Sequence, residues 1–170
     1  MLFTERLVLR PHTIGDLDHV LQLANDPAVH AFIRGLPTSR EEAWHRLLRY
    51  AGHWSLLGYG MLAVFERSSG DFIGEVGLAD FQRGLGPDFD GTPEAAWLFT
   101  GGSHGRGYAA EAMTVLLDWF EREYGPQRTV CIIDVANTAS IKLADRLGFR
   151  PYGATVYREA AVDKYERTSS

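Results

Sequence analysis

Trp97-Leu98-Phe99-Thr100-Gly101-Gly102-Ser103-His104-Gly105-Arg106-Gly107-Tyr108-Ala109-Ala110-Glu111-Ala112 passes from an apolar run through a glycine-rich turn into a helical pattern. The order reads as strand, anion-cradling loop, helix. Glycines let a backbone approach a ligand with no Cβ in the way, and the helix start behind them offers unpaired N–H groups and the positive end of the dipole. A phosphate-bearing molecule is the natural guest. Charge-assisted hydrogen bonds of roughly 1.5–3 kcal/mol each, with a dipole contribution of about 0.3–1, hold a pyrophosphate while leaving its distal group free for chemistry.

On the C-terminal side of this stretch, Ala109, Ala112, Met113, Leu116, Leu117 and Phe120 share one helical face. Beyond Gly125-Pro126 come a strand over Thr129 to Ile133, a helix opened by Asn137-Thr138-Ala139-Ser140 and closed by Gly148, and two strands between Pro151 and Arg167. On the N-terminal side, Leu7 to Pro11 reads as a strand. Leu17, Val20, Leu21 and Ala24 mark a short helix that Asn25-Asp26-Pro27 breaks. Ser39 with Glu42 has the form of a capping box, and the helix behind it is expected to end at Gly58. Met61 to Phe65 and Phe72 to Leu78 form a hairpin, and Asp80 to Pro93 is a long loop of a kind that is often functional.

The 170 residues suit one domain, 1–170, and 45% hydrophobic content suits a real core. With 17 Lys+Arg against 22 Asp+Glu the net charge is -5, and the basic residues are scattered. That excludes a nucleic-acid surface and mildly favours a cationic partner. Neither a signal peptide nor an apolar run of the roughly 20 residues that span a membrane is visible, so a cytoplasmic setting without membrane contact is expected. Cys131, the single cysteine, reads as buried strand filler and leaves no cysteine metal cluster to form.

Two cofactors compete for the glycine turn. Gly105 to Ala110 fits the dinucleotide fingerprint G-x-G-x-x-A, with Asp134 available for a ribose hydroxyl. That fold repeats strand-helix-strand units, whereas this order is β-α-α-β-β-β-α-β-α-β-β. His104 to Ala109 instead resembles the acetyl-CoA loop of the GNAT N-acetyltransferases, Q/R-x-x-G-x-G/A, with His104 where Gln or Arg is usual. Thr4 to Arg10, Asn25-Asp26-Pro27, Glu94 to Glu111, and Asn137-x-x-Ser140 running to Leu147-Gly148-Phe149 are similar to the RimJ/RimL branch, in its order along nearly the whole chain.

The resemblance implies an α/β (α+β) GNAT fold. Its strongly twisted mixed sheet has about seven strands, flanked by about four helices, and splays open between Ala95–Phe99 and Thr129–Ile133. It implies acetyl-CoA as co-substrate and no metal. Gly105, Gly107, Tyr108 and Ala109 would receive the pyrophosphate, with His104 as a phosphate neighbour. Arg106 is either a second phosphate partner or a solvated loop charge. Pantetheine would pair with the backbone near Phe99 and Thr100, with Asn137 both capping its helix and touching pantetheine.

The implied activity is acetyl transfer to a primary amine, a protein N-terminus or a small amine, by direct attack in a ternary complex. At pH 7 an α-amine with pKa near 8 costs roughly 1 kcal/mol to deprotonate, and a lysine-like amine about 4.6. A protein N-terminus therefore needs no strong base. Many GNAT enzymes carry a Tyr shortly before the final Gly-Phe, where this chain has Ala144; Ser140 looks like the substitute acid. Glu75, interrupting an apolar strand beside the split, is the first candidate base, ahead of Glu94 and His53. Ala31 to Pro37 and Asp80 to Pro93 are the segments expected to choose the acceptor. Two other readings stay open: an acyl-CoA-binding or sensing protein of GNAT-like fold without catalysis, and an NAD-binding oxidoreductase. The assembly is expected to be a monomer or homodimer.

Overall fold

The structure, a computed structural model, describes residues 1–32 and 37–168. Ile33 to Leu36, within the expected acceptor-selecting segment, lie outside the described residues. Eight strands form one sheet: β1 (Leu2–Phe3), β2 (Leu7–Pro11), β3 (Met61–Glu66), β4 (Phe72–Ala79), β5 (Glu94–Phe99), β6 (Arg128–Asp134), β7 (Arg150–Tyr157) and β8 (Ala160–Thr168). Their order is β1-β2-β3-β4-β5-β6-β8-β7. Every neighbouring pair is antiparallel except β5 with β6, which is parallel and shares a single registered pair, Glu94 with Val130. The sheet is thus two antiparallel blocks hinged at one end of β5 and open beyond it. One parallel pair is not the repeated parallel unit a nicotinamide fold requires.

Five α-helices complete the described chain: α1 (Leu17–Ala24), α2 (Pro27–His30), α3 (Arg40–Leu57), α4 (Tyr108–Tyr124) and α5 (Thr138–Arg146). The capping box forms as expected: Ser39 Oγ accepts from Glu42 N–H at 3.2 Å, Ser39 N–H donates to Glu42 Oε2 at 2.7 Å, and Gly58 closes α3 at φ 77°. Two differences from the sequence reading are local. Leu2–Phe3 adds a short strand by pairing with Val8 and Leu9. Pro27 opens α2 as well as ending α1, because a first-turn residue needs no N–H and Asp26 accepts from Ala28 N–H at 2.9 Å.

The main core lies between α4 and the sheet, where Ala112, Met113, Leu116 and Phe120 meet Leu9, Leu62, Val64 and Val76. On the other face, Val20 of α1 packs with Ala43 and Leu47 of α3. Gly74 lets β4 and β5 close: a Cβ there would stand 2.3 Å from Leu98 O. The Asp80–Pro93 loop has no regular element but is anchored by buried Phe89, by Arg83 on Glu94, and by Asp88 on Lys164.

Candidate active site

Strand parity sets what the split exposes. Thr100 N–H donates to Ile73 O at 3.0 Å, so the alternation of an antiparallel pair turns the backbone groups of Thr100, Leu98, Ala96 and Glu94 toward β4. Those of Phe99, Trp97 and Ala95 turn toward β6, as Pro93 O does when it accepts from Val130 N–H at 3.0 Å. On β6 the same count, fixed by Val135 N–H on Ala161 O, turns Ile132 toward the split. The result is a cleft of about 1040 Å³ whose walls are unpaired strand edges. Thr100 is corrected here: its N–H belongs to β4 and its Oγ1 contacts Ser103 Oγ at 2.6 Å, so Trp97 takes its place on the open edge.

The glycine turn meets this cleft at the far end of β5. Gly107 caps α4 at φ 78°, and the first helical bond runs from Glu111 N–H to Gly107 O, leaving the N–H groups of Tyr108, Ala109 and Ala110 ahead of the ladder. Gly105, at φ 73°, has nothing within 4 Å of where a Cβ would point. Orphan donors, bare backbone and a helix N-terminus are what a pyrophosphate needs. The helix start is fixed from the chain's beginning. Arg6 pairs with Glu111 at 2.6 Å, donates to Arg106 O at 2.9 Å and lies 4.6 Å over the Tyr108 ring, while Thr4 Oγ1 also donates to Glu111. Arg106 is an exposed loop charge that pairs with Glu66 at 2.9 Å, over the other side of Tyr108, whose hydroxyl donates to the same carboxylate. His104 lines the cleft and donates through Nε2 to Phe99 O at 3.0 Å, which fills one acceptor of the open edge.

Across the split, Asn137 caps α5 by accepting from Ser140 N–H at 3.1 Å. Ser140 Oγ accepts from the indole Nε1–H of Trp97 at 3.1 Å. An indole nitrogen only donates, so the Ser140 hydrogen stays available to a group in the cleft. Asp134 Oδ1 accepts from Ala136 N–H at 2.8 Å, in place of the ribose role it would have had with NAD. Ala144 is fully buried, and Cys131 is buried strand filler whose thiol burial pushes up.

The opposite face carries the candidate bases. Glu75 is 0% exposed. Its Oε2 accepts from Tyr50 O–H at 2.9 Å, and its Oε1 meets His12 Nε2 at 3.1 Å. Tyr50 reaches the cleft and Glu75 stands behind it, so contact between Glu75 and an acceptor runs through the phenol. Burial, reinforced by the Glu75 charge, pushes the Tyr50 hydroxyl far above its ordinary value. Glu94 lines the cleft, but both its oxygens take the Nε–H of Arg83, at 2.9 and 2.8 Å. Burial still raises its carboxyl, outweighing Arg83. His53 packs edge-on against Phe81, away from the cleft lining, and burial beside Arg49 lowers it. Sequence reasoning missed Trp97, Arg46, Arg49 and Tyr50; the last three recur at i, i+3 and i+4 on α3, a spacing that marks one helix face. Among the described residues no group of His, Cys, Asp and Glu is arranged to hold a metal ion, and no helix is long and apolar enough to cross a membrane.

Residues 6–150 match the family model described as an acetyltransferase (GNAT) domain. A structure from Bordetella pertussis, described there as belonging to the GnaT acetyltransferase family, is 38% identical, with a TM-score of 0.89 and 98% of each chain covered. The uncharacterised protein YkkB of Bacillus subtilis is 29% identical over 99% of this chain and 95% of its own. A spermidine N-acetyltransferase from Vibrio cholerae, solved with CoA and spermine, shares the fold at 19% identity, TM-score 0.75, with 97% and 96% covered. A sheet split after β5, a glycine cradle at the start of α4 and a family match over most of the sequence lead to one statement: the chain belongs to the GNAT acetyltransferase family.

Proposed function

We propose that residues 1–170 act as one acetyl-CoA-dependent N-acetyltransferase domain that passes an acetyl group to a primary amine by direct attack. The observation that carries the reading is the continuity of the cleft. The orphan N–H groups of α4 lead onto the open edge of β5, and that edge leads to Ser140. Acetyl-CoA supplies an activated acetyl thioester. Tyr108, Ala109 and Ala110 N–H hold its pyrophosphate, with Gly105 and Gly107 keeping the approach clear, and the backbone of Trp97 and Phe99 aligns the pantetheine arm beside the Asn137 end of α5. Ser140, held by Trp97, gives its hydrogen to the departing sulfur. Tyr50, kept protonated and anchored by Glu75, offers its free lone pair to an amine N–H. Glu75 is then a positioning residue.

Glu94, the candidate base on the cleft wall, is clamped by Arg83, so the amine proton leaves through water. This suits an α-amine far better than a lysine-like one. A protein N-terminus of the RimJ/RimL kind has such an amine; a free amino acid has an α-amine as well, made more basic by the carboxylate beside it, and keeps part of that advantage. The setting for this chemistry is the cytoplasm, with a monomer or homodimer as the working unit.

The test pairs binding with turnover. CoA or acetyl-CoA at about 100 times its Kd is expected to add roughly 2.7 kcal/mol of stability, seen as a rise in Tm. An amine panel is expected to release free thiol from acetyl-CoA. A Tm rise without turnover of any amine would favour a sensor over an enzyme. A rise with a nicotinamide cofactor and none with CoA would overturn the reading.

A further inference from the structure

The wall of the cleft formed by α3 and the 80–93 loop runs against the chain's acidic balance. Arg46, Arg49 and Arg83 all line it, and Glu94 neutralises only Arg83. Among the described residues neither Arg46 nor Arg49 has an ion pair, and Arg46 Nη1 is shut off from solvent with no hydrogen-bond partner. Arg49 lies 5.4 Å over the Phe81 ring and 5.9 Å over Tyr50, and Arg83 lies 4.7 Å over the other side of Phe81. Aromatic faces thus hold the Arg49 and Arg83 guanidinium groups in place without discharging them, while Tyr50 and the Glu75 carboxylate favour the charged form of Arg46. Burial, and then the like charges of Arg46 and Arg83, depress Arg49. The Arg46 Nη1 group, buried without a partner, costs the fold stability that an acceptor reaching it would restore.

The phosphates of CoA are not that anion. Glu75 and Leu98 face each other on the α3 side of the sheet, whereas Trp97 and Val76 point to the side of α4 and α5, where the glycine cradle lies. The cluster also gathers around Arg83 and Glu94, at the end of β5 away from the cradle. It sits beside Tyr50, the side chain placed to meet the acceptor.

We infer that this half of the cleft is an anion pocket, and that the acceptor amine carries a carboxylate: a free amino acid whose apolar side chain lies against Phe81 and Tyr157, which flank Arg83. The guanidinium fork of Arg46 matches a carboxylate in geometry as well as charge. The inference rests on the acetyltransferase reading and narrows its acceptor.

The experiment compares each of the common amino acids with its carboxamide, alongside spermidine and phosphoethanolamine, by kcat/KM for thiol release. The carboxamide has the more readily deprotonated amine, so chemistry alone favours it. Wild type is expected to prefer the acid of at least one apolar amino acid by about tenfold, the worth of one charge-assisted hydrogen bond. Arg46→Gln is expected to bring that ratio close to one, and Arg46→Lys to restore part of it. Preference for carboxamides or spermidine overturns the inference while leaving acetyl transfer intact, and preference for phosphoethanolamine overturns the carboxylate assignment.

A binding arm is independent of turnover. With CoA present, N-acetyl-leucine or N-acetyl-phenylalanine is expected to raise the Tm of wild type and not of Arg46→Gln. No shift with either, in a protein that CoA itself stabilises, overturns the pocket. A protein that CoA does not stabilise overturns the acetyltransferase reading instead. Arg46→Met is expected to raise the Tm of the unliganded chain; a purely structural arginine would lower it.

Discussion

Trp97 on β5 donates its indole N–H to Ser140 Oγ on α5 at 3.1 Å, bridging the two walls of the split where no strand pairing joins them. One contact orients the serine and ties the two walls together; on the proposed reading it also sets the gap through which the acyl group passes. Ser140→Ala is expected to lower kcat by about a hundredfold with the KM for acetyl-CoA little changed, within the range typical of a positioned proton donor. Trp97→Phe keeps the ring and loses the N–H. It is expected to cost about fivefold in kcat, equivalent to one neutral hydrogen bond of about 1 kcal/mol. Thiol release under saturating acetyl-CoA checks both.

The glycine turn makes separable demands. At Gly105 a Cβ meets open space, so Gly105→Ala is expected to fold with a loss of about 1 kcal/mol from its left-handed backbone. The new methyl points where a phosphate would approach, so the KM for acetyl-CoA is expected to rise while kcat is kept. At Gly74 the obstacle is Leu98 O, and Gly74→Ala is expected to destabilise by about 3 kcal/mol. Denaturant midpoints and steady-state kinetics distinguish the two.

Asp16 supplies a pH dependence of stability. Burial alone would raise its carboxyl, but Arg10, bonded at 2.7 and 2.8 Å, and Thr13 N–H, at 2.7 Å, outweigh it and hold the group well below the usual carboxylate range. A depressed folded pKa contributes stability above the unfolded value near 3.9 and loses it as pH falls toward the folded one. Asp16→Asn is therefore expected to cost about 2 kcal/mol at neutral pH. The gap from wild type should close progressively below about pH 4, as urea midpoints at several pH values would show.

Cys131 is buried between β5 and β8, and burial raises its thiol. Native protein is expected to resist iodoacetamide at pH 8 and to be labelled once unfolded. Cys131→Ala is expected to retain acetyl transfer at a cost of about 1 kcal/mol in stability. Rapid native labelling with loss of activity would give the thiol a role this fold does not.

The elements whose boundaries are set by local chemistry were legible in the sequence. Ser39 and Gly58 bracket α3 through a reciprocal cap and a left-handed residue, and Gly107 and Gly125 flank α4. What distant partners decide was not. Glu75 stands out as a charge in an apolar strand, but its meaning depends on Tyr50 and His12 arriving from two other elements. Trp97 reads as core, and whether its backbone faces β4 or the split follows only from the bond between Thr100 and Ile73. Arg46 and Arg49 read as two among scattered basic residues in the sequence, because the cleft they line exists only where the sheet fails to close.

The clasp of Arg6 and Thr4 on Glu111 gives the cofactor loop a remote dependency. The turn between β1 and β2 acts as a strut: whatever displaces Thr4 to Arg6 frees the first turn of α4 to fray, and orphan N–H groups that fray cease to converge on a phosphate. On the proposed reading, affinity for CoA then depends on the chain's first residues as much as on its glycines. A tag or fusion that tugs on the β1 segment will be felt as a weaker enzyme before it is felt as a less stable one.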